Sequence, residues 1–139
     1  MKPLTLAFFL FFFTFSTRAQ TAYWQQSLQY QISVRLDDKA NTLDGTLKLN
    51  YQNNSPDTLR FIWFHVWPNA YKNDRTDFSE QLLENGRTDF YFSEESDRGY
   101  MNRLDFRVNM EIANTEDHPR YFDVIKLNLP NPLLPGGEI

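Results

Sequence analysis

The stretch QISVRLDDKANTLDGTLKLNY, residues 31–51, decides the fold class. Ile32, Val34 and Leu36 recur at every second position, with Ser33 and Arg35 between them. A two-residue period puts alternate side chains on opposite faces of an extended chain, which is the signature of a strand. Leu43, Leu47, Leu49 and Tyr51 repeat the pattern, sharing a face with Gly45 against Asp44, Thr46, Lys48 and Asn50. Asp37-Asp38-Lys39-Ala40-Asn41 between them is built from residues that favour turns. The reading is an antiparallel hairpin with one apolar and one wet face.

Outward from the hairpin the same logic continues. Asn53-Asn54-Ser55-Pro56-Asp57 is a turn. Asn53-Asn54-Ser55 matches the glycosylation acceptor pattern, but Pro56 follows and the segment is read as loop chemistry only. In RFIWFHVWPNAY, residues 60–71, Phe61, Trp63, His65 and Trp67 fall on one face with Leu59, while Ile62, Phe64 and Val66 fall on the other. Apolar residues on both faces predict a central strand, ended by Pro68. The period changes at DFSEQLLENG, residues 77–86, where Phe78 and Leu82 lie four apart. This predicts a short helix with Asp77 as N-cap, Glu80 three residues on, and Gly86 just past its end. Further strands are expected in TDFYFS (residues 88–93), NRLDFRVN (102–109) and YFDVIKLNL (121–129), with Glu138-Ile139 opening another after the Pro-Gly-Gly turn. The fold class is therefore all-β: a largely antiparallel β sandwich or saddle-like curved sheet with one short helix, incomplete at its C-terminal end.

Lys2, the apolar run Leu4–Phe15, and small residues Thr17 and Ala19 before Gln20 have the layout of a secretory signal peptide. The run is shorter than the roughly 20 residues a membrane span needs. Residues 1–19 are expected to be removed, leaving one β domain, residues 20–139, exported to the periplasm or beyond, with no stable membrane span. The 139-residue chain carries a net charge of -4, and loss of Lys2 and Arg18 makes the mature part more acidic still. With no basic cluster, nucleic acid is not an expected partner. The chain has no cysteine, which excludes a disulfide framework and a thiolate zinc site.

Candidate chemistry is sparse. His65 and His118 are the two histidines, and neither stands in a His-Glu-x-x-His helix. A catalytic zinc wants three protein ligands, so His65 reads as a core residue bonded to a cross-strand group, and His118 as a solvent-exposed loop residue. Asp37-Asp38, Glu94-Glu95 and Glu116-Asp117 are adjacent acids in turns; a glycosidase pair must instead face across roughly 5 to 9.5 Å. Serines form no Gly-x-Ser-x-Gly elbow, and no glycine loop cradles phosphate. Trp24, Trp63 and Trp67 could make a stacking platform for peptide or sugar, but core filling is the stronger reading of such large rings. No catalytic, cofactor-binding or metal-ligating residue is assigned in this chain.

One resemblance runs through nearly all of the mature sequence. Tyr30–Asp37 (Y-x-I-x-V-x-L-D), Leu43–Ser55 (L-D-G-T-L-K-L-x-Y-x-N-N-S) and Trp63–Tyr71 (W-F-H-V-W-P-N-A-Y) occur in order. Gln81–Gly86 (Q-L-L-E-N-G), Asp97–Tyr100 (D-R-G-Y) and the proline-rich run from Leu129 to Gly136 follow. This series resembles the N-terminal domain of aminopeptidase N-like zinc metallopeptidases of the Bacteroidetes type. The resemblance implies a saddle-shaped β domain packed against a separate thermolysin-like catalytic domain of the same protein. It places the zinc, its His-Glu-x-x-His helix and the downstream glutamate in that other domain, so the whole enzyme would cleave peptides near their N-terminus while this chain alone is inactive. It also implies that His65 corresponds to a recurring histidine of the N-terminal domain rather than a zinc ligand. Met110 departs from the pattern, which has glycine after Val108-Asn109, and suggests a different turn or an altered loop. Since that domain continues past Pro-Gly-Gly-Glu, the chain is expected to be truncated. The alternative is a stand-alone secreted β module that binds peptide or carbohydrate through its aromatics.

Overall fold

The computed structural model describes residues 23–139. The signal-peptide reading of residues 1–19 lies outside them. The fold is all-β, with seven strands in three antiparallel sheets and one short α-helix among the described residues.

The expected hairpin is present. β1 (Ser27–Asp37) pairs antiparallel with β2 (Thr42–Gln52) in a register running from Ser27 opposite Gln52 to Asp37 opposite Thr42. The turn closes because Asp37 Oδ1 accepts from the backbone N–H of both Lys39 and Ala40 at 3.0 Å. Asn41 takes the left-handed φ of 53°, which asparagine tolerates. Leu28, Tyr30, Ile32, Val34 and Leu36 meet Tyr51, Leu49, Leu47, Gly45 and Leu43 across the ladder, so the apolar sets share one face. That face is uncovered among the described residues: Ile32 is 61% exposed and Leu47 54%. Alternation records which face was built for burial, and nothing described here stacks on it.

The second sheet has the order β3 (Leu59–His65), β7 (Val124–Leu133), β6 (Thr115–Asp117), antiparallel throughout. The central strand is therefore β7, and the reading of residues 59–67 as a central strand is corrected. Among the described residues β3 pairs on one side only, and its apolar residues on both faces do not report burial. β7 also runs further than expected, through Pro130 and Pro132. These prolines cannot donate to a ladder, and the register slips there: Phe61 faces Asn128 but Leu59 faces Leu133. Ile125, Leu127 and Leu133 of β7 are buried, as are Val66 and Ala113, and form the core.

Three other expectations shift. The strand expected at residues 88–93 is a turn, held by Arg98, which donates to Ser93 O at 2.8 Å, Ser93 Oγ at 3.0 Å and Tyr91 O at 3.3 Å. Of residues 102–109 only β4 (Arg107–Val108) is strand; it pairs with β5 (Glu111–Ile112) through a two-residue turn. That turn has φ of 50° at Asn109 and 73° at Met110, the pattern of a tight hairpin with both central residues left-handed. Met110 thus holds a left-handed conformation that glycine takes without a Cβ penalty. The helix α1 (Asp77–Glu84) is capped by Thr76 rather than Asp77: Thr76 is extended and its hydroxyl accepts from Ser79 N–H at 3.3 Å. Asp77 and Glu80 then lie in the first turn, where carboxylates suit the helix dipole. Gly86 ends the helix as expected, with φ of 75° and paired bonds Arg87 N–H to Leu82 O and Gly86 N–H to Leu83 O.

Glu138 forms an antiparallel bridge with Gln52, and Ile139 exchanges both backbone hydrogen bonds with Tyr51 at 2.8 and 3.0 Å. These residues lie against β2 on the edge away from β1, so the extended start expected there is present. Asn53 is the junction. Fully buried, it donates through Nδ2 to Asp57 O at 2.8 Å and Leu133 O at 3.1 Å. Its Oδ1 accepts from Ser55 Oγ, Ser55 N–H and Gln26 Nε2. With every amide position engaged, Asn53 is no glycosylation acceptor in the folded chain.

Candidate functional site

The site grows from the end of β3. Proline cannot continue the ladder, and the chain after His65 turns into a 3-10 segment, Trp67–Tyr71, with Pro68 in its first turn. Val66, buried between them, donates its N–H to Asp123 O at 2.7 Å and fastens the end of β3 to the start of β7. This brings Asp123 beside His65: Oδ2 lies 3.5 Å from His65 Nδ1. The imidazole also stacks on Trp67, 4.4 Å between ring centres at 15°. The His65 side chain is 52% exposed, so the reading of it as a core residue is corrected. His65 ends β3 at the edge of its sheet among the described residues, and its ring stays half-exposed there between Trp67 and Asp123.

Next to this dyad lies a cleft of about 520 Å³. Trp67, Tyr71 and Phe78 line its apolar part. Tyr71 and Phe78 are held by mutual contact at 4.6 Å, and Phe78 meets Phe90 edge-on at 5.2 Å. Asp77, Glu80, Glu84 and Asp123 line it against Arg120. Thr76 fixes the helix wall, because its hydroxyl also donates to Ala70 O at 2.7 Å. Aromatic faces beside excess carboxylate suit an ammonium or guanidinium group.

Further along the same strand Trp63 meets Phe61 at 5.9 Å and His118 at 5.3 Å, both edge-on. His118 stacks on Tyr121 at 4.6 Å, and its Nδ1 accepts from the N–H groups of Arg120 and Tyr121 at 3.2 and 3.1 Å. It is half-buried and organises the turn into β7, which corrects its reading as a free surface residue. Trp63 and Trp67 are 47% and 67% exposed, so core filling is corrected for both. Trp67 lies beyond the strand, at the start of the 3-10 segment. Trp24, 46% exposed, lies ahead of β1.

Of the adjacent acids, Asp37 and Glu116 make structural hydrogen bonds. Asp37 closes the hairpin, and Glu95 opens a short 3-10 segment. Glu116 accepts from Asn128 Nδ2 at 2.6 Å and Lys126 Nζ at 3.3 Å. Those bonds, Asn128 first and then Lys126, hold the Glu116 carboxyl below its ordinary value. Among the described residues no three His, Asp or Glu side chains gather as a metal site.

Sequence reasoning missed Asp123, Tyr71, Phe78 and Arg120. Asp123 was not within reach, because it precedes β7 and its approach to His65 depends on which strand lies beside β3 and how the chain enters it. Nor was the cleft, because it depends on how α1 packs against the 3-10 segment. Comparison with family models, with curated proteins and with solved structures finds no match to this chain.

Proposed function

We propose that this chain is the non-catalytic N-terminal β domain of an exported, zinc-dependent aminopeptidase-like metallopeptidase. The ordered series of motifs from Tyr30 to Gly136 carries the reading. The uncovered apolar face of β1 and β2 supports it, because contiguous exposed apolar surface of this kind is normally met by another domain or chain. In this reading the zinc belongs to the catalytic domain of the same protein, where it activates water and polarises the scissile carbonyl. The present domain walls the cleft around the peptide substrate. The purified chain is expected to release no amino acid from aminoacyl reporter substrates, with or without added zinc. An open reading frame continuing past codon 139 into a His-Glu-x-x-His segment is the positive result. Turnover in proportion to the chain's concentration, or a frame that closes with no such segment, overturns the reading.

A second reading has its own observation. The half-exposed Trp63 and Trp67, with the acidic aromatic cleft beside Trp67, fit a secreted module that binds a peptide or a carbohydrate. Tryptophan fluorescence that shifts and saturates on titration with cationic peptides or glycans supports it. A flat titration against both removes it.

A further inference from the structure

One face of α1 carries charge that the helix itself does not need. Asp77, Glu80, Gln81 and Glu84 follow the spacing i, i+3, i+4, i+7, which places them on one stripe. All four line the cleft beside Trp67. Asp77 and Glu80 suit the N-terminal end of the helix dipole. Glu84 does not: it ends the helix, where a carboxylate opposes the dipole, and the last turn holds no basic residue. It also stands four residues from Glu80, and like charges at that spacing repel. Among the described residues none of Asp77, Glu80 and Glu84 forms an ion pair.

The same cleft has an aromatic wall. Trp67 stacks one ring face on His65, 4.4 Å away and 15° from parallel, and is still 67% exposed. Basic side chains next to this wall are engaged on other rings: Lys72 lies over Tyr100 at 5.8 Å, Arg98 over Phe90 at 5.5 Å and Arg120 over Tyr121 at 5.3 Å. The lining therefore sets four carboxylates against the single guanidinium of Arg120. At about 520 Å³ the cleft has the ordinary size of a ligand site.

We propose that this cleft binds the guanidinium of an arginine side chain in a peptide ligand, with Trp67 as its stacking face and Glu80 and Glu84 as its carboxylate partners. A guanidinium is planar, so it lies flat on an indole while its N–H edge donates to carboxylates. An ammonium is compact and strongly hydrated, and stacks less well. A neutral sugar would stack on Trp67 but leave the repulsion between Glu80 and Glu84 in place. A bound guanidinium relieves it, so occupancy of the cleft stabilises α1. The walls come from residues 67–84 and 120–123, at the end of β3 away from Leu133. The guanidinium site rests on the reading of the chain as a binding module and not on the peptidase reading.

The test is a titration of the purified full chain with N-acetylated, C-amidated Gly-Arg-Gly, followed by amide NMR shifts over residues 67–84. Blocked ends leave the side chain as the only charge on the peptide. Parallel titrations use the citrulline analogue, which keeps the shape and loses the charge, and the neutral glycans cellohexaose and chitohexaose. The expected result is saturable binding of the arginine peptide, weaker by about tenfold or more for citrulline. Glu80→Gln with Glu84→Gln is expected to weaken the arginine peptide by about tenfold and to melt no earlier than the parent, since it removes a repulsion. Trp67→Leu weakens it likewise. Asp38→Asn with Asp57→Asn makes the same change in net charge outside the cleft and is expected to leave binding unchanged. An arginine peptide bound no better than its citrulline analogue, or weakened as much by the second pair of substitutions as by the first, overturns the proposal. The binding-module reading outlives that result if either glycan still saturates. If no probe binds, both fall together.

Discussion

Met110 and Asn53 are the two residues whose cost and contribution the structure makes explicit. Met110 sits at φ of 73° in the turn between β4 and β5 and is 83% exposed. A side chain in that region costs roughly 1–2 kcal/mol relative to one without a Cβ clash, and Met110 has almost no packing to lose. Met110→Gly is therefore expected to stabilise the domain by about 1 kcal/mol, read as a higher midpoint in urea unfolding with an unchanged slope. A fall in the midpoint would show that the Met110 side chain makes contacts in solution that outweigh its backbone conformation. Asn53 is the reverse case. Its amide ties the loop after β2 to Leu133, Asp57, Ser55 and Gln26 from a fully buried position. Asn53→Ala takes the amide donor from the Leu133 carbonyl and the acceptor from Ser55 N–H, each at roughly 1–3 kcal/mol for a buried group left unpaired, while the Ser55 hydroxyl keeps Asp57. The expected loss is about 2–4 kcal/mol; a loss under about 0.5 kcal/mol, the size of an ordinary surface change, would mean water replaces the amide.

At the scale of elements, α1 shows how local rules and packing combine. Thr76 caps its first turn and also reaches back to Ala70 O, so one hydroxyl serves the helix end and the wall of the cleft. Thr76→Ala is expected to cost about 1–2 kcal/mol, the upper range for an N-cap. It is also expected to loosen the Tyr71–Phe78 contact, seen as faster amide exchange across residues 77–84 than in Thr76→Ser. Equal exchange in the two variants would confine the effect to the cap. The same elements show what was legible in the chain. The hairpin was, in its turn and its apolar face, because two runs of strict alternation flank a turn of Asp and Asn; the first four residues of β1, Ser27–Tyr30, lay ahead of the run that was read. The helix was, within one position, because its caps are chemical. β3 was misplaced because apolar residues on both faces look alike whether the strand is central or an edge. Residues 88–93 look like a strand by composition, but Arg98 satisfies their carbonyls and no ladder is needed. Of the candidate site, His65 and Trp67 were legible as residues. Their exposure and the Asp123 partner were not, since both depend on which strand lies beside β3.

For the whole molecule, the decisive feature is where the apolar surface lies. Among the described residues the buried core is small: Val66, Ala113, Ile125, Leu127 and Leu133, grouped around β7. The richer apolar pattern, on β1 and β2, faces outward. Burial is worth about 25 cal/mol per Å² of apolar area removed from water, so these side chains contribute little to the chain's own stability. They would contribute much to an association. The two roles separate under mutation. Ile32 and Leu47 face each other across the hairpin, so Ile32→Thr with Leu47→Thr keeps strand-forming side chains while removing apolar surface. If the face is uncovered in solution, the double variant unfolds within about 0.5 kcal/mol of the parent, as surface changes do, and binds much less of a dye that fluoresces on exposed apolar surface. If instead the face is packed, each truncation removes buried area and opens space, and the cost rises to several kcal/mol, as for core positions. Dye binding and stability thus move in opposite senses in the two cases: an open face loses dye and keeps its stability, while a packed one loses stability and gains dye. The first outcome is the one the exposed ladder of Leu28, Tyr30, Ile32, Val34 and Leu36 requires.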